Sequence, residues 1–204
     1  MKKGIQLGVD AVIFTVKDNF LQVLLVKRKK DPFKSEWTLP CGILDDSERL
    51  VHSAQRHTEE LTGLSGIELE EFSIFDGLYR DPRGRIVSVA FFALINSDCL
   101  KFNLGPDAAD AGWFPIDEMP SLAADNEEVV DVAYNLLRDS LDIHPLCWQF
   151  FKDKFSMEQL RTVYEIILEV AIDADDFKKA ILDLGLIKEA GPDSYVFDMI
   201  AKDL

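Results

Sequence analysis

The stretch that decides the fold of this 204-residue chain is Arg56 to Leu64, RHTEELTGL, which follows the segment LPCGIL at residues 39–44. From Glu48 to Thr62 apolar residues recur at helical spacing, and Gly63 supplies a C-terminal stop. A helix that holds magnesium against phosphates needs carboxylates three and four residues apart, so that they share one face. The stretch predicts a helix of this kind that lacks part of its carboxylate set.

The spacing around this helix resembles the Nudix box. The box has a glycine, five residues, Glu, seven residues, and then Arg-Glu-apolar-any-Glu-Glu-any-Gly-apolar. Six of its positions match here over twenty-three residues, namely Gly42, Glu48, Arg56, Glu60, Gly63 and Leu64. The resemblance implies a Nudix fold and, in active members, hydrolysis of a pyrophosphate link with divalent cations.

The departures from the box fall on its metal-binding positions. His57 stands where the first metal-binding Glu is expected and Leu61 where the last is expected, so that only Glu60 remains of three carboxylates. Thr58 replaces an apolar residue, and Cys41 replaces the first glycine of the family's Pro-Gly-Gly. We therefore expect no catalytic residues and a Nudix hydrolysis that is lost or very weak.

Two residues of the helix remain candidates for a different metal. His57 and Glu60 are spaced i and i+3, but sites for zinc or another borderline metal normally need three or four ligands. Leu61 falls on one stripe with Leu50 and Ala54, so we expect it to extend an apolar seam. We accordingly predict no metal and no cofactor, with His57 as a partly buried or surface histidine.

The rest of the first 145 residues has the pattern of a sheet with a few helices. The β-branched runs Val9–Val16 and Leu21–Lys27 are joined by KDNF, which predicts a hairpin. Further elements are predicted as strands at 72–79, 86–95 and 113–116 and a helix at 126–141. This part is interpreted as an α+β domain with a mixed sheet between helices.

After residue 145 the pattern changes to helix, turn, helix and hairpin. Ser156 and Gln159 form a capping box for one helix, and DFKKAILDL predicts a second helix ending at Gly185. LIKEA and SYVFDM are short strands around a GPD turn. The outline is that of a winged helix-turn-helix, although a C-terminal helical bundle fits the periodicity equally. We predict two domains, 1–145 and 146–204.

Segments outside the box extend the resemblance from about Val9 to about Phe197. VLLVKRKKDPFKSEWTLPCG is similar to the segment before the box in Nudix proteins that act on ADP-ribose. DPRGRIVSVAFFAL, WFPIDEMPSLAADNEEVV and the C-terminal PLCWQFFKDKFSMEQLRTVYEIIL resemble the NrtR family of Nudix-related transcriptional regulators. This resemblance implies a Nudix domain, often catalytically degenerate, that senses an ADP-ribose-like metabolite, and a winged helix that binds operator DNA as part of a dimer.

The resemblance also implies a ligand pocket that persists without metals. Arginines would pair with phosphates, carboxylates would accept sugar hydroxyls, and Trp37 or Phe33 would stack on a ring. The residues expected to bind the effector are Arg28, Trp37, Glu48, Arg56, Glu60, Arg83 and Arg85. Alternatively, Arg85 pairs with a nearby carboxylate, and DPRGR is simply a turn.

The C-terminal part departs from the family where DNA would be bound. Members that bind DNA usually begin the recognition helix with a basic run, whereas this chain has Asp175 and Asp176 there. From Leu146 onward, seven Lys or Arg stand against twelve Asp or Glu, a balance that repels phosphates. The residues expected to contact DNA are Arg161, Lys178, Lys179 and Asp175. Alternatively, the winged helix serves dimerisation or another protein contact.

Composition narrows the class of protein further. Apolar residues make up 48% of the chain, which supports a packed core, and no apolar run reaches the ~18 residues that cross a bilayer. The net charge of -15 predicts repulsion from anionic membranes and from DNA. Three widely separated cysteines without CxxC spacing indicate a reducing cytoplasm and argue against disulfides and zinc.

The sequence as a whole predicts a Nudix fold followed by a small winged helix-turn-helix domain. We expect a cytoplasmic, homodimeric transcriptional regulator without membrane contact, with an ADP-ribose-like or sugar effector and operator DNA as partners. Two alternatives stay open: a residual Nudix hydrolase of a nucleoside diphosphate compound, and a ligand-binding or interaction protein that no longer binds DNA.

Overall fold

The computed structural model describes residues 4–98, 100–141, 149–151 and 153–198. Its strands and helices are β1 (Gln6–Lys17), β2 (Phe20–Arg28), β3 (Trp37–Thr38), β4 (Cys41–Ile43), α1 (Leu50–Thr62), β5 (Glu70–Phe75), β6 (Ile86–Leu94), β7 (Ala108–Pro115), a 3-10 turn (Ile116–Glu118), α2 (Asn126–Ser140), α3 (Met157–Leu168), α4 (Ala174–Asp183), β8 (Ile187–Gly191) and β9 (Ser194–Phe197). Within this part of the chain, no helix is long and apolar enough to cross a membrane. The predicted domain boundary at 145 and 146 and two of the three cysteines, Cys99 and Cys147, lie outside the described residues.

A seven-stranded mixed sheet forms the centre of the N-terminal region. Its order is β3-β2-β1-β6-β5, with β4 paired to β1 and β7 paired to β2. β1 and β6 are parallel, whereas β1 and β2 form an antiparallel hairpin. Asp18 and Asn19 at its turn have φ of 52° and 63°, as a two-residue type I′ turn requires. The hairpin predicted at KDNF is confirmed.

Helices cover both faces of the sheet, and β1 is therefore buried on both faces. Phe14 belongs to the core that α2 covers with Leu137, and Ile13 belongs to the core that α1 covers with Ala54. Successive side chains of a strand point to opposite faces, so the alternation along β1 assigns each residue to one layer. The predicted arrangement of a mixed sheet between helices is confirmed.

The C-terminal region is a winged helix-turn-helix. The Ser156 hydroxyl accepts the Gln159 N–H at 3.1 Å, and Gln159 Oε1 accepts the Ser156 N–H at 2.8 Å, so the predicted capping box is confirmed. β8 and β9 form the wing, and Tyr195 on β9 pairs with Phe155 just before α3. The wing is therefore tied to the start of the first helix.

The second helix, α4, begins two residues earlier than predicted. Asp173 caps it, because its carboxylate accepts the backbone N–H groups of Asp175 and Asp176 at 2.9 and 3.1 Å. The predicted start at Asp176 is wrong for this reason.

The strand predicted at 72–79 is wrong for its last four residues, since β5 ends at Phe75. The Arg85 guanidinium donates to the carbonyl oxygen of Asp76 and, at 3.0 Å, to that of Gly77. Because a side chain occupies these acceptors, the backbone here turns away from the sheet.

The two regions are joined by contacts on both sides of residues 142–148. The Tyr164 hydroxyl of α3 donates to the carbonyl oxygen of Leu141 at 2.9 Å. The buried Gln149 side chain donates to the Glu68 carbonyl at 2.6 Å and accepts the Glu68 N–H at 3.0 Å. The apolar cluster on the α2 side of the sheet continues into the winged helix. The winged helix therefore packs against the sheet region.

Candidate functional site: a polar cavity beside a degenerate box helix

A cavity of about 640 Å³ opens beside the central strands of the sheet. Its walls come from β1, β4, the C-terminal half of α1, the loop after β5 and the start of α2. This volume is in the range of small-molecule pockets. Its polar and charged lining residues include Asp10, Arg28, Lys30, Thr38, His57, Glu60, Arg80, Asp81, Arg83, Ser88, Asp107 and Asn126.

A buried cluster of three charges lies at this cavity. Arg80 Nη2 is 2.9 Å from Asp10 Oδ2, and Arg80 Nε and Nη2 are each 2.8 Å from the two oxygens of Asp125. The side chains of Arg80 and Asp10 are 8% and 5% exposed. Burial raises the pKa of Asp10, and the neighbouring guanidinium opposes that rise. The cluster ties β1 to the loop after β5 and to the start of α2.

Two further cations line the cavity from the end of β2 and the loop after it. Arg28 Nε donates to the Pro32 carbonyl at 2.7 Å, and its terminal amino groups have no hydrogen-bond partner among the residues that the structure describes. Lys30 forms an ion pair with Asp107 in which both side chains are more than half exposed. A guanidinium that is positioned through Nε and free at both amino groups is suited to bind phosphate bidentately.

The remaining arginine of the lining, Arg83, is already paired. Arg83 Nη2 lies 2.7 Å from Asp81 Oδ2, and Arg83 Nε lies 2.9 Å from Oδ1. Cys41 also lines the cavity, and burial raises the pKa of its thiol to about 11, so the thiol stays uncharged near neutral pH. Among the described residues of the lining, Arg28 is therefore the guanidinium whose two terminal amino groups both lack a partner.

The charged residues of the box helix are bonded to one another. Arg56 holds Glu48 through Nε at 2.9 Å and Nη2 at 2.5 Å, and its Nη1 lies 3.1 Å from Glu60 Oε2. These hydrogen bonds hold the pKa of Glu48 at about 2, well below its usual range. Glu48 and Arg56 do not line the cavity. They fix the loop before α1 to the helix.

The helix residues at the family's metal positions do not fit a divalent cation. His57 Nε2 is 3.1 Å from the Ile43 carbonyl, its Nδ1 is 3.6 Å from Glu60 Oε2, and that oxygen is shared with Arg56. Across the described ranges, no three His, Cys, Asp or Glu side chains are grouped to hold a metal ion.

Gly42 leaves the space that the His57 ring occupies. A Cβ on Gly42 would lie 2.0 Å from His57 Nε2, so glycine is required beside the imidazole ring.

Leu61 lines the cavity and is only half-buried, while Ala54, Thr58 and their neighbours Ser53 and Thr62 form the buried face of α1. The expectation that Leu61 extends an apolar seam is therefore wrong. The Thr58 hydroxyl donates to the Ala54 carbonyl at 2.8 Å, which satisfies it inside the core.

The structure brings together three of the seven residues predicted to bind an effector. Arg28, Glu60 and Arg83 line the cavity, whereas Glu48, Arg56, Trp37 and Arg85 do not. Phe33, the alternative ring, also lines it.

Two of the predicted residues that do not line the cavity, Trp37 and Arg85, have other partners. Trp37 packs edge-on against Phe114, with ring centroids 4.8 Å apart, and Lys27 Nζ lies 5.7 Å from its ring. Arg85 bonds the backbone of residues 76 and 77 and lies 3.6 Å from the Asp76 carboxylate, as its alternative interpretation expected.

Several polar lining residues were missed by the sequence reasoning, among them Asp10, Arg80 and Asn126. Asp10 carried a signal, since it is the one charged residue in the apolar run GVDAVIF. A buried charge within a strand normally needs a partner, and this one pairs with Arg80. Asn126 carried none, because an asparagine at the start of a helix is typical of capping.

The predicted DNA-contacting residues lie on the winged helix in two environments. Asp175, Lys178 and Lys179 on α4 are exposed, as is Asp176. Arg161 is half-buried, since its Nη1 donates to the Ile172 carbonyl at 3.0 Å and lies 3.6 Å from Glu165 Oε1. Arg161 thus holds the turn before α4.

Comparisons with known proteins agree with this architecture. The NUDIX domain model matches residues 4–133, and the NrtR DNA-binding winged helix domain model matches residues 148–194. The ADPR responsive transcriptional repressor NtrR of Acinetobacter baylyi is 30% identical over 185 residues, covering 89% of this chain and 74% of that protein.

Two solved structures are similar over most of the chain. A MutT/nudix family protein from Enterococcus faecalis has a TM-score of 0.87 at 27% identity and covers 97% of this chain and 88% of its own. Shewanella oneidensis NrtR complexed with a 27mer DNA has a TM-score of 0.77 at 26% identity, over 94% and 93%. With a Nudix domain over most of its length and the family's winged helix after it, the chain belongs to the NrtR family of Nudix-related transcriptional regulators.

Proposed function

We propose that this chain is a ligand-responsive transcriptional regulator. Its Nudix domain, residues 1–145, binds an ADP-ribose-like or sugar metabolite without hydrolysing it. Its winged helix domain, residues 146–204, binds operator DNA, with two copies of the chain acting as a homodimer in the cytoplasm. The related repressor from Acinetobacter baylyi is named for its response to ADPR, which supports this choice of effector class.

The observation that carries the proposal is the contrast between the cavity and the box helix. The cavity offers the free amino groups of Arg28 to a phosphate and the Arg80 cluster as a polar wall. In the box, by contrast, Glu48 and Glu60 are bonded to Arg56, and the described residues contain no cluster that fits a cation. Such a site can bind a nucleoside diphosphate compound but lacks what hydrolysis of its pyrophosphate link requires.

Absence of turnover suits this function physically. A receptor that destroys its ligand reports the ligand concentration poorly, whereas one that only binds it can shift between two states. The ligand changes DNA binding only if it binds those two states with different affinity.

Effector binding is tested by calorimetry with ADP-ribose, with AMP release followed in the same samples in the presence of magnesium or manganese. We expect binding without release of AMP. Arg28→Gln should raise the Kd on the order of tenfold or more. Product formation that Glu60→Gln abolishes would contradict the proposal and favour the residual hydrolase.

DNA binding is tested with the chain's own upstream region at low salt, with and without ADP-ribose. We expect a shifted complex that the double variant Lys178→Glu/Lys179→Glu removes and that ADP-ribose alters. The reversal of two exposed charges should act through phosphate contacts, so its effect should diminish as salt rises.

A second candidate is favoured by the acidity of the proposed recognition helix. Asp173, Asp175 and Asp176 are exposed at its first turn, where they would repel phosphates. On this alternative the winged helix contacts a protein instead of DNA. Absence of any low-salt complex, together with no effect of the double Lys variant, would favour it over the regulator.

A further inference from the structure

One buried polar group at the cavity has no partner among the residues that the structure describes. Asn126, the first residue of α2, is 4% exposed and lines the cavity. Its Oδ1 accepts the backbone N–H of Leu39 at 2.9 Å, which fixes which end of the amide is the oxygen. The other end, Nδ2, is left without an acceptor in this part of the chain. Buried donors are normally paired, so a ligand atom is the expected partner.

The backbone at this position points to the same place. Ala123 and Ala124, just before α2, also line the cavity, so the N-terminus of this 15-residue helix faces it. The first N–H groups of a helix have no acceptor within the helix. Asp125 at the N-cap makes no capping hydrogen bond, because its carboxylate is turned to Arg80.

The charges around Asn126 decide what kind of acceptor fits. Asp10 and Asp125 flank Arg80 there, and these two carboxylates leave no surplus positive charge for a phosphate. Arg28 Nε is held by the Pro32 carbonyl in the loop after β2, and its terminal amino groups have no partner within the described part of the chain. An anionic group is therefore attracted to Arg28, and an uncharged acceptor suits Asn126.

We propose that Asn126 Nδ2 is a specificity-determining donor to an uncharged acceptor atom of the effector, either a nucleobase nitrogen or a sugar oxygen. This deepens the effector-binding role proposed above and rests on it. A ligand whose phosphates reach Arg28 but that lacks such an acceptor leaves Nδ2 unpaired and binds more weakly, as sites built around a buried polar group discriminate by this means.

Two substitutions at Asn126 separate the donor from its other roles. Asn126→Asp keeps the shape and the acceptor for the Leu39 N–H while replacing the amino group by an oxygen. Asn126→Leu removes the donor without adding charge, together with the acceptor for the Leu39 N–H. Asn135→Asp is the matched control, because Asn135 is exposed on the same helix and receives the same added charge away from the cavity.

Calorimetry with ADP-ribose gives the first readout. We expect both Asn126 variants to raise Kd by about tenfold to a hundredfold and the Asn135 control to stay within about twofold of wild type. Thermal unfolding of each variant establishes that the losses occur in folded protein. If wild type and Asn126→Asp bind equally, or only the Asp variant weakens while a folded Leu variant does not, the inference about Asn126 is overturned and the proposed function stands.

Two fragments with one phosphate each, AMP and ribose 5-phosphate, identify the acceptor and replace the Leu variant if that variant does not fold. A loss confined to AMP in Asn126→Asp assigns the donor to the nucleoside end, and a loss confined to ribose 5-phosphate assigns it to the terminal sugar. Equal losses for both fragments indicate charge repulsion and overturn the inference. If wild type binds neither ADP-ribose nor the fragments, the proposed function fails with it.

Discussion

In α1 the charged side chains of the box are bonded to one another, whereas in α4 those of the first turns project into solvent. Arg56 holds both Glu48 and Glu60, and these contacts join the helix to the loop before it. Asp176 and Lys178, by contrast, are exposed. The bonded charges of α1 and its preceding loop are residues that match the family pattern, whereas Asp175 and Asp176, which depart from it in α4, are exposed.

The bonded charges at α1 hold a local conformation, whereas the exposed charges of α4 are available to a partner. Charges that satisfy each other hold a local conformation and offer little to a ligand. Exposed charges contribute little to folding and determine which surface can approach. The cavity combines both kinds, since Arg80 is bonded through Nε and Nη2, whereas neither terminal amino group of Arg28 has a partner among the described residues.

The largest expected effect is on the free energy of unfolding, when the buried guanidinium of Arg80 is removed. Arg80→Met leaves the buried carboxylates of Asp10 and Asp125 without a counterion, so the free energy of unfolding should fall by about 3–5 kcal/mol. Arg85→Met, which removes a more exposed guanidinium, should cost about 1 kcal/mol or less. Denaturant unfolding of both variants measures this. Equal losses would mean that burial of the cluster is not what stabilises it.

The next largest loss of stability is expected where Gly42 leaves room for the His57 ring. Gly42→Ala places a methyl group 2.0 Å from His57 Nε2, and overpacking of this kind should cost about 1–3 kcal/mol. Adding His57→Ala should restore most of the loss, because the clash partner is gone. A loss that the second substitution leaves unchanged would place the strain elsewhere in the backbone.

A pH-dependent effect tests the bonding of Glu48 in the box. Arg56 lowers the pKa of Glu48 from 4.5 to about 2 in the folded state. A depressed folded-state pKa stabilises the fold fully above the unfolded value, and this stabilisation is lost as pH falls through the folded value. The difference in unfolding free energy between wild type and Glu48→Gln should therefore shrink between pH 4.5 and pH 2. The shrinkage should disappear in an Arg56→Met background, and its persistence there would contradict the assignment.

The smallest expected effect is on the open charges of α4. Asp175→Asn/Asp176→Asn should tighten DNA binding several-fold at about 50 mM salt and less at about 200 mM, since the removed charges repel phosphates. Asp183→Asn, which removes one charge at the other end of the helix, is the control, and the gains are compared per charge removed. Fluorescence anisotropy with the upstream region measures both. An equal gain from the control would indicate only a change in net charge, and no gain would mean that this turn does not face DNA.

Much of the fold could be predicted from local patterns. The hairpin at Asp18 and Asn19, the capping box of α3 and the box helix each depend on residues close together in the chain. The predicted element boundaries were wrong where a side chain forms hydrogen bonds with the backbone. Arg85 bonds the carbonyl groups that follow β5, and Asp173 bonds the N–H groups at the start of α4. The candidate site was predicted only in part for the same reason.

The sequence by itself determined the order of elements, the family and the loss of metal ligands, because spacing along one helix is preserved whatever surrounds it. Only the tertiary structure decided which side chains share the cavity. Asp10 and Arg80 are 70 residues apart, and Leu39 and Asn126 are 87 apart. Contacts at such separations depend on the path of the chain through the sheet, which periodicity does not encode. The partner of Arg80, and the nitrogen of Asn126 that is unpaired among the described residues, therefore emerged only from the folded protein.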